Sequence, residues 1–174
     1  MVGRLRDGGV SLAIVLAIRH TSGSFALAGA GAAVYAIAAA ISRPLVGRWV
    51  DRLGASRALA RTTVVNCVVL AALAGCVAAR TSAALLLVLA GLVGLTVPPL
   101  SAALRALWPT AMPEHRDGAY ALDTLLYELS LVIAPALVGA VTALASATVA
   151  LVLLAFFGAL GSWLVGGTRA AGAR

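Results

Sequence analysis

The chain has 174 residues, of which 62% are apolar and 11% charged; mean hydropathy is +1.05, and the net charge of +7 is carried by arginine without any lysine. A soluble domain of this length usually carries about 25% charge, and several nearly uncharged blocks of about 20 residues cannot all be hidden from water in so short a chain. An ordinary soluble domain is excluded. So is nucleic-acid binding, because the arginines stand at the ends of apolar blocks rather than on a basic face interleaved with polar and aromatic contacts.

In chain order, the apolar blocks predict six helices near 2–19, 25–47, 58–79, 83–106, 118–143 and 147–167, forming a single bundle over 1–174. At 1.5 Å per residue the last five are long enough for a hydrocarbon core of about 30 Å. The clean apolar part of the first, Gly8 to Ile18, is short, and the segment spans only if Arg4 and Arg6 snorkel toward the interface. Its basic start resembles a signal peptide, yet no small-residue cleavage site precedes the next block. Cys67 and Cys76 lie in one apolar run without metal-type spacing and read as small packing residues. Small residues in the second block, with Gly91, Gly94, Gly158 and Gly161 in later ones, mark faces for close helix packing in lipid. Pro98 and Pro99 must disturb the fourth helix, as a hinge or a static kink, because neither has a backbone N–H to donate. Pro109 and Pro113 end it in the longest connection.

Six spans place both termini and the connections after helices 2 and 4 on one side. That side receives Arg4, Arg6, Arg43, Arg48, Arg52, Arg57, Arg61, Arg105, Arg116, Arg169 and Arg174; the other receives only Arg19 and Arg80. By the positive-inside rule, both termini are expected in the cytoplasm of a multi-pass cell-membrane protein. The outer connections are only a few residues each, so sequential helices are expected as antiparallel neighbours and function must lie within the bundle.

The stretch "GRWVDRLGASR" places Gly47, Asp51, Arg52, Gly54 and Arg57 between the second and third blocks. Its spacing and location resemble the signature loop of the major facilitator superfamily. Arginines alone would be explained by positive-inside topology; the acidic Asp51 would not. The resemblance implies a conformational latch: Gly47 permits close helix approach, Asp51 accepts from Arg52 or Arg57 or caps a neighbouring helix, and Gly54 supplies the turn. "PPLSAALRALWP" and the segment from Ala119 to Gly139 look like helices 4 and 5 of actinobacterial efflux-type members. Ala134, Pro135 and Gly139 are similar to the antiporter motif of helix 5, but Ala134 and Val138 stand where glycines are usual, which weakens assignment as a proton antiporter. The resemblance implies an all-α polytopic fold, the first six of twelve helices, built as an inverted three-plus-three repeat.

Within the spans, ionisable groups are functional candidates. Glu128 lies about ten residues into helix 5, deep enough that a carboxylate needs a partner, a water-filled cavity or a proton, which suits proton coupling or recognition of a cationic substrate. The alternative is a structural pair with Arg105. Asp123 is expected to have a structural or capping role, while Asn66 and Tyr35 are cavity-lining or interhelical hydrogen-bonding candidates. His20 and His115 fall in separate loops, so no metal site is expected, and no nucleophile–base set, phosphate loop or dinucleotide fingerprint suggests an enzyme or a cofactor. The expected function is transmembrane transport of a small molecule, with efflux implied by the resemblance, by a half-length or truncated transporter. Its expected partners are the lipid bilayer, a small-molecule substrate with protons as a candidate co-substrate, and a homodimeric copy or a separate second half. A non-transporting protein that binds or regulates another membrane protein is the rival reading.

Overall fold

A computed structural model describes residues 2–100 and 116–172. Among the described residues there are six helices and no strand: α1 Val2–Ser22, α2 Phe25–Leu53, α3 Ala55–Ala78, α4 Ala83–Leu95, α5 Arg116–Leu144 and α6 Ala147–Gly172. Four are long and apolar enough to cross a membrane, over Phe25–Arg52, Arg57–Ala78, Tyr120–Leu144 and Ala147–Leu164. Helix α1 has the length, but every stretch of 18 residues in it holds at least three charged side chains drawn from Arg4, Arg6, Asp7 and Arg19. Helix α4 has the apolarity but only 13 residues. It does not run through 83–106 as the hydropathy predicts. Thr96 caps it and Val97-Pro98-Pro99 are non-helical, because two consecutive prolines leave two carbonyls of the preceding turn without donors. One is recovered by a side chain: Ser42 of α2 donates to the carbonyl of Leu95 at 2.7 Å. Residues 101–115, with Arg105, Pro109, Pro113 and His115, lie outside the described residues.

The other correction concerns "GRWVDRLGASR". It is helix on both sides of a single residue, with α2 running to Leu53 and α3 beginning at Ala55. Charge ends a membrane span but not a helix, since arginine is a good helix former. Only Gly54 breaks the hydrogen-bond ladder, at φ +79° and ψ 146°, a conformation essentially restricted to glycine. The remaining turns are similarly short, at Gly23–Ser24, Ala79–Ser82 and Ala145–Ser146. At the first of them the Ser24 hydroxyl caps α2 by accepting from the N–H of Leu27 at 3.3 Å.

Helix α1 is central and packs extensively on α2, α5 and α6. The helices joined by short turns touch, but the largest interfaces among the described residues pair α2 with α4 and α3 with α6. Glycine makes the first of these possible: a Cβ on Gly94 would strike the carbonyl oxygen of Tyr35 and lie 2.9 Å from the Cβ of Ala38. The apolar core is polarised along the bundle. Val10, Ile14, Ile18, Leu70, Leu73, Leu86, Val93, Leu151 and Leu154 form one cluster, most of it toward the α1–α2, α3–α4 and α5–α6 turns. The opposite half of the bundle holds most of the charge.

Candidate functional site

The charged half is built around the first two turns of α1. Arg4 and Arg6 do not snorkel; they are 3% and 2% exposed. Arg4 donates to both the side chain and the backbone carbonyl of Asp123 on α5, the latter at 2.6 Å, and its guanidinium lies 5.9 Å from the ring centre of Tyr127. Arg6 donates to Asp7 and to the Asn66 side-chain oxygen of α3, each at 2.6 Å. Asn66 donates in turn to the carbonyl of Val93 at 3.0 Å and to the Thr96 hydroxyl at 2.9 Å, where α4 ends. A single polar chain thus joins α1, α3 and the break in α4. Removing such charges from water costs several kcal/mol per ion, and each is therefore met by an opposite charge and further hydrogen bonds. Gly158 of α6 admits the arginine stem: a Cβ there would lie 2.7 Å from Arg6 Cδ.

Beside this layer runs a groove of about 1000 Å³. Arg4, Asp7 and Ser11 of α1 line its floor, α2 from Tyr35 to Asp51 one wall, Val97 to Leu100 the end of α4, and Tyr127 the side of α5. Asp7 gives one carboxylate oxygen to Arg6, and its side chain remains 26% exposed into the groove. Arg43, ten residues before the end of α2, lines the same wall. It is exposed and makes no hydrogen bond, ion pair or ring contact among the described residues. The faces beside the groove are open and apolar. The membrane-length stretches of α5 and α2 are 17% and 28% buried, against 39% for both α3 and α6. Leu125, Leu129 and Val132 of α5 and Ile37, Ile41 and Leu45 of α2 are exposed.

The expected site residues divide between these regions. Tyr35, Gly47 and Asp51 line the groove. Asn66 and Asp123 are buried in the polar layer, with Asn66 bridging three helices and Asp123 paired to Arg4. Asp51, Arg52 and Arg57 are exposed at the helix ends flanking Gly54, and among the described residues Asp51 pairs with neither arginine. A Cβ on Gly47 would meet nothing within 4 Å among the described residues. Glu128 is exposed on α5 and does not line the groove; Arg105, its expected structural partner, falls outside the described residues. On α5, Ala134 is fully buried and its Cβ would lie 3.2 Å from a Cβ on Gly8 of α1. Pro135 sits within the helix, and a Cβ on Gly139 would meet open space. The residues that sequence reasoning did not group are Arg4, Arg6 and Asp7. The available signal was a balanced set of charges and an asparagine on apolar helices, each requiring a partner.

Among the described residues no three of His, Cys, Asp and Glu come together to hold a metal ion. The family model described as Major Facilitator Superfamily matches residues 2–171. Neither the curated proteins nor the solved structures contain a significant match to the chain.

Proposed function

Since the chain belongs to the major facilitator superfamily, a family of membrane transporters, we propose that it supplies one six-helix half of a small-molecule transporter, with a second copy or a separate half closing the groove. The observation that carries this is the groove itself: a charged, open channel on an apolar bundle, flanked by the uncovered apolar faces of α2 and α5. In a bundle that binds nothing, Asp7, Arg43 and Asp51 would have no reason to face one concavity. The six helices act as six spans arranged as three plus three, with α1 and α4 stabilised at the membrane by their neighbours rather than by their own hydropathy. Both termini lie on the cytoplasmic side of the cell membrane, as the arginine asymmetry indicates. Efflux of a small organic molecule is the direction we assign, on the likeness of residues 98–109 and 119–139 to efflux-type members.

The latch residues fit this arrangement. Gly47 and Asp51 line the groove, and Arg52, Gly54 and Arg57 follow at the paired helix ends, where a second half would meet them. The test is oligomeric mass in nanodiscs followed by solute flux in proteoliposomes, with the chain alone and co-expressed with a candidate second half. A defined dimer or pair that moves a solute supports the proposal. A chain that stays monomeric and moves no solute in either setting refutes it and favours a non-transporting role.

A further inference from the structure

The charges that line the groove balance, Arg4 and Arg43 against Asp7 and Asp51, but they are not equally committed. Behind the lining stand Arg6 and Asp123, each bonded to one of these groups. Arg4 is committed to Asp123 and Arg6 to Asp7. Arg43 remains, close enough for its charge to act on both Asp7 and Tyr35, and makes no hydrogen bond or ion pair among the described residues. Tyr35 also lines the groove and makes no hydrogen bond among the described residues, so its hydroxyl is a second free donor on the same wall. Asp51, the other lining charge without an ion pair among the described residues, is the one acid beside Arg48, Arg52 and Arg57 at the paired helix ends.

We propose that the groove recognises a small organic acid, with its carboxylate on the guanidinium of Arg43 and the hydroxyl of Tyr35. This rests on the transporter reading and specifies its substrate class. Guanidinium and carboxylate meet in a planar fork of two parallel hydrogen bonds, a geometry an ammonium ligand cannot use. The remaining wall supplies apolar contacts from Ala36, Ala39, Ala40 and Val50, so the acid carries an apolar body rather than several charges. A cationic ligand would have to approach Asp7 past Arg43 and Arg4, against like charge. The anion assignment replaces the cationic substrate that Glu128 alone would suggest, because Glu128 does not face the groove.

The same guanidinium could hold the phosphate of an anionic lipid, and the experiment separates the two. The full chain is placed in phosphatidylcholine nanodiscs and titrated with benzoate, benzamide and benzylammonium, with binding read by calorimetry. Expected is a saturable benzoate signal without one for benzamide or benzylammonium. Arg43→Gln should weaken benzoate at least tenfold, Arg43→Lys should retain part of it, and Arg80→Gln, far from the groove, should leave it unchanged. Benzylammonium binding as well as benzoate, or Arg43→Gln binding as well as the parent, overturns the assignment. So does an absence of benzoate binding accompanied by phosphatidylglycerol that co-purifies with the parent and not with Arg43→Gln, which gives Arg43 to a headgroup. Circular dichroism of each variant confirms that it remains folded. Because binding is read without a second half, a chain that binds benzoate but moves no solute keeps the anion site and loses the transporter reading. Transport of an organic cation that survives Arg43→Gln does the reverse.

Discussion

Asn66 is the residue whose loss should be felt most widely, because three helices meet on it. Asn66→Leu preserves the approximate volume and removes three hydrogen bonds: one accepted from Arg6 and two donated, to the Val93 carbonyl and the Thr96 hydroxyl. Interhelical hydrogen bonds in membrane bundles average about 0.6 kcal/mol, since the unfolded chain in lipid also finds partners. Three such bonds give about 2 kcal/mol. The Arg6 bond is to a charged group and worth about 1.5–3 kcal/mol by itself, and Arg6 Nε is already buried without a partner among the described residues, so beyond Asp7 the guanidinium has no further acceptor there to turn to. The expected loss is therefore about 2–4 kcal/mol. It can be measured by sodium dodecyl sulfate titration of the chain in mixed micelles, following helicity. Asn66→Asp should lose less, because it keeps the acceptor for Arg6 and adds an opposite charge. An Asn66→Leu chain within about 0.5 kcal/mol of the parent would refute the reasoning and mean that water enters the layer and solvates Arg6.

Four further outcomes follow from the same geometry. Gly54→Ala should cost about 1–3 kcal/mol, because any side chain at φ +79° is strained even though the surrounding space is open; the same titration measures it. Gly94→Ala should cost about 1–3 kcal/mol by forcing α2 and α4 apart, whereas Gly139→Ala, in open space, should be neutral or stabilise by up to about 1 kcal/mol through helix propensity. Ser42→Ala should cost about 1 kcal/mol by freeing the Leu95 carbonyl at the end of α4. Glu128→Gln should leave stability within about 0.5 kcal/mol of the parent, as an exposed group without a bond in the described structure; a larger loss would show that the carboxylate is engaged.

The helical architecture was largely legible, because apolar blocks divided by short polar turns leave few alternatives. Its errors have physical causes. Reading Asp51 and Arg52 as loop treated the edge of an apolar run as the edge of a helix, but the two coincide only where a residue such as Gly54 interrupts the backbone. Pro98 and Pro99 announced a disturbance; its extent, ending α4 at Leu95, depended on how many carbonyls were left without donors. The site was less legible. Hydropathy gives the depth of Glu128 along α5 but not the direction it faces, and Asp123, five residues earlier, proved to be the buried one. Arg4 and Arg6 read as end-of-helix charges because the sequence shows their charge and not their partners, 119 and 60 residues away.

That separation sets an order of assembly. Translation proceeds at about 5–20 residues per second, so α1 emerges with Arg4, Arg6 and Asp7 while the groups that neutralise or bind two of them have yet to be made. Asn66 follows Arg6 by roughly 3–12 s and Asp123 follows Arg4 by roughly 6–24 s at those rates. During that interval the central helix of the bundle is its least membrane-soluble part. It must wait at the bilayer surface, or be sheltered by the insertion machinery, until α3 and then α5 arrive. Helix α1 is thus made before the groups that lock it in place, and a ribosome stalled before α5 would leave a nascent chain in which α1 has nowhere to settle.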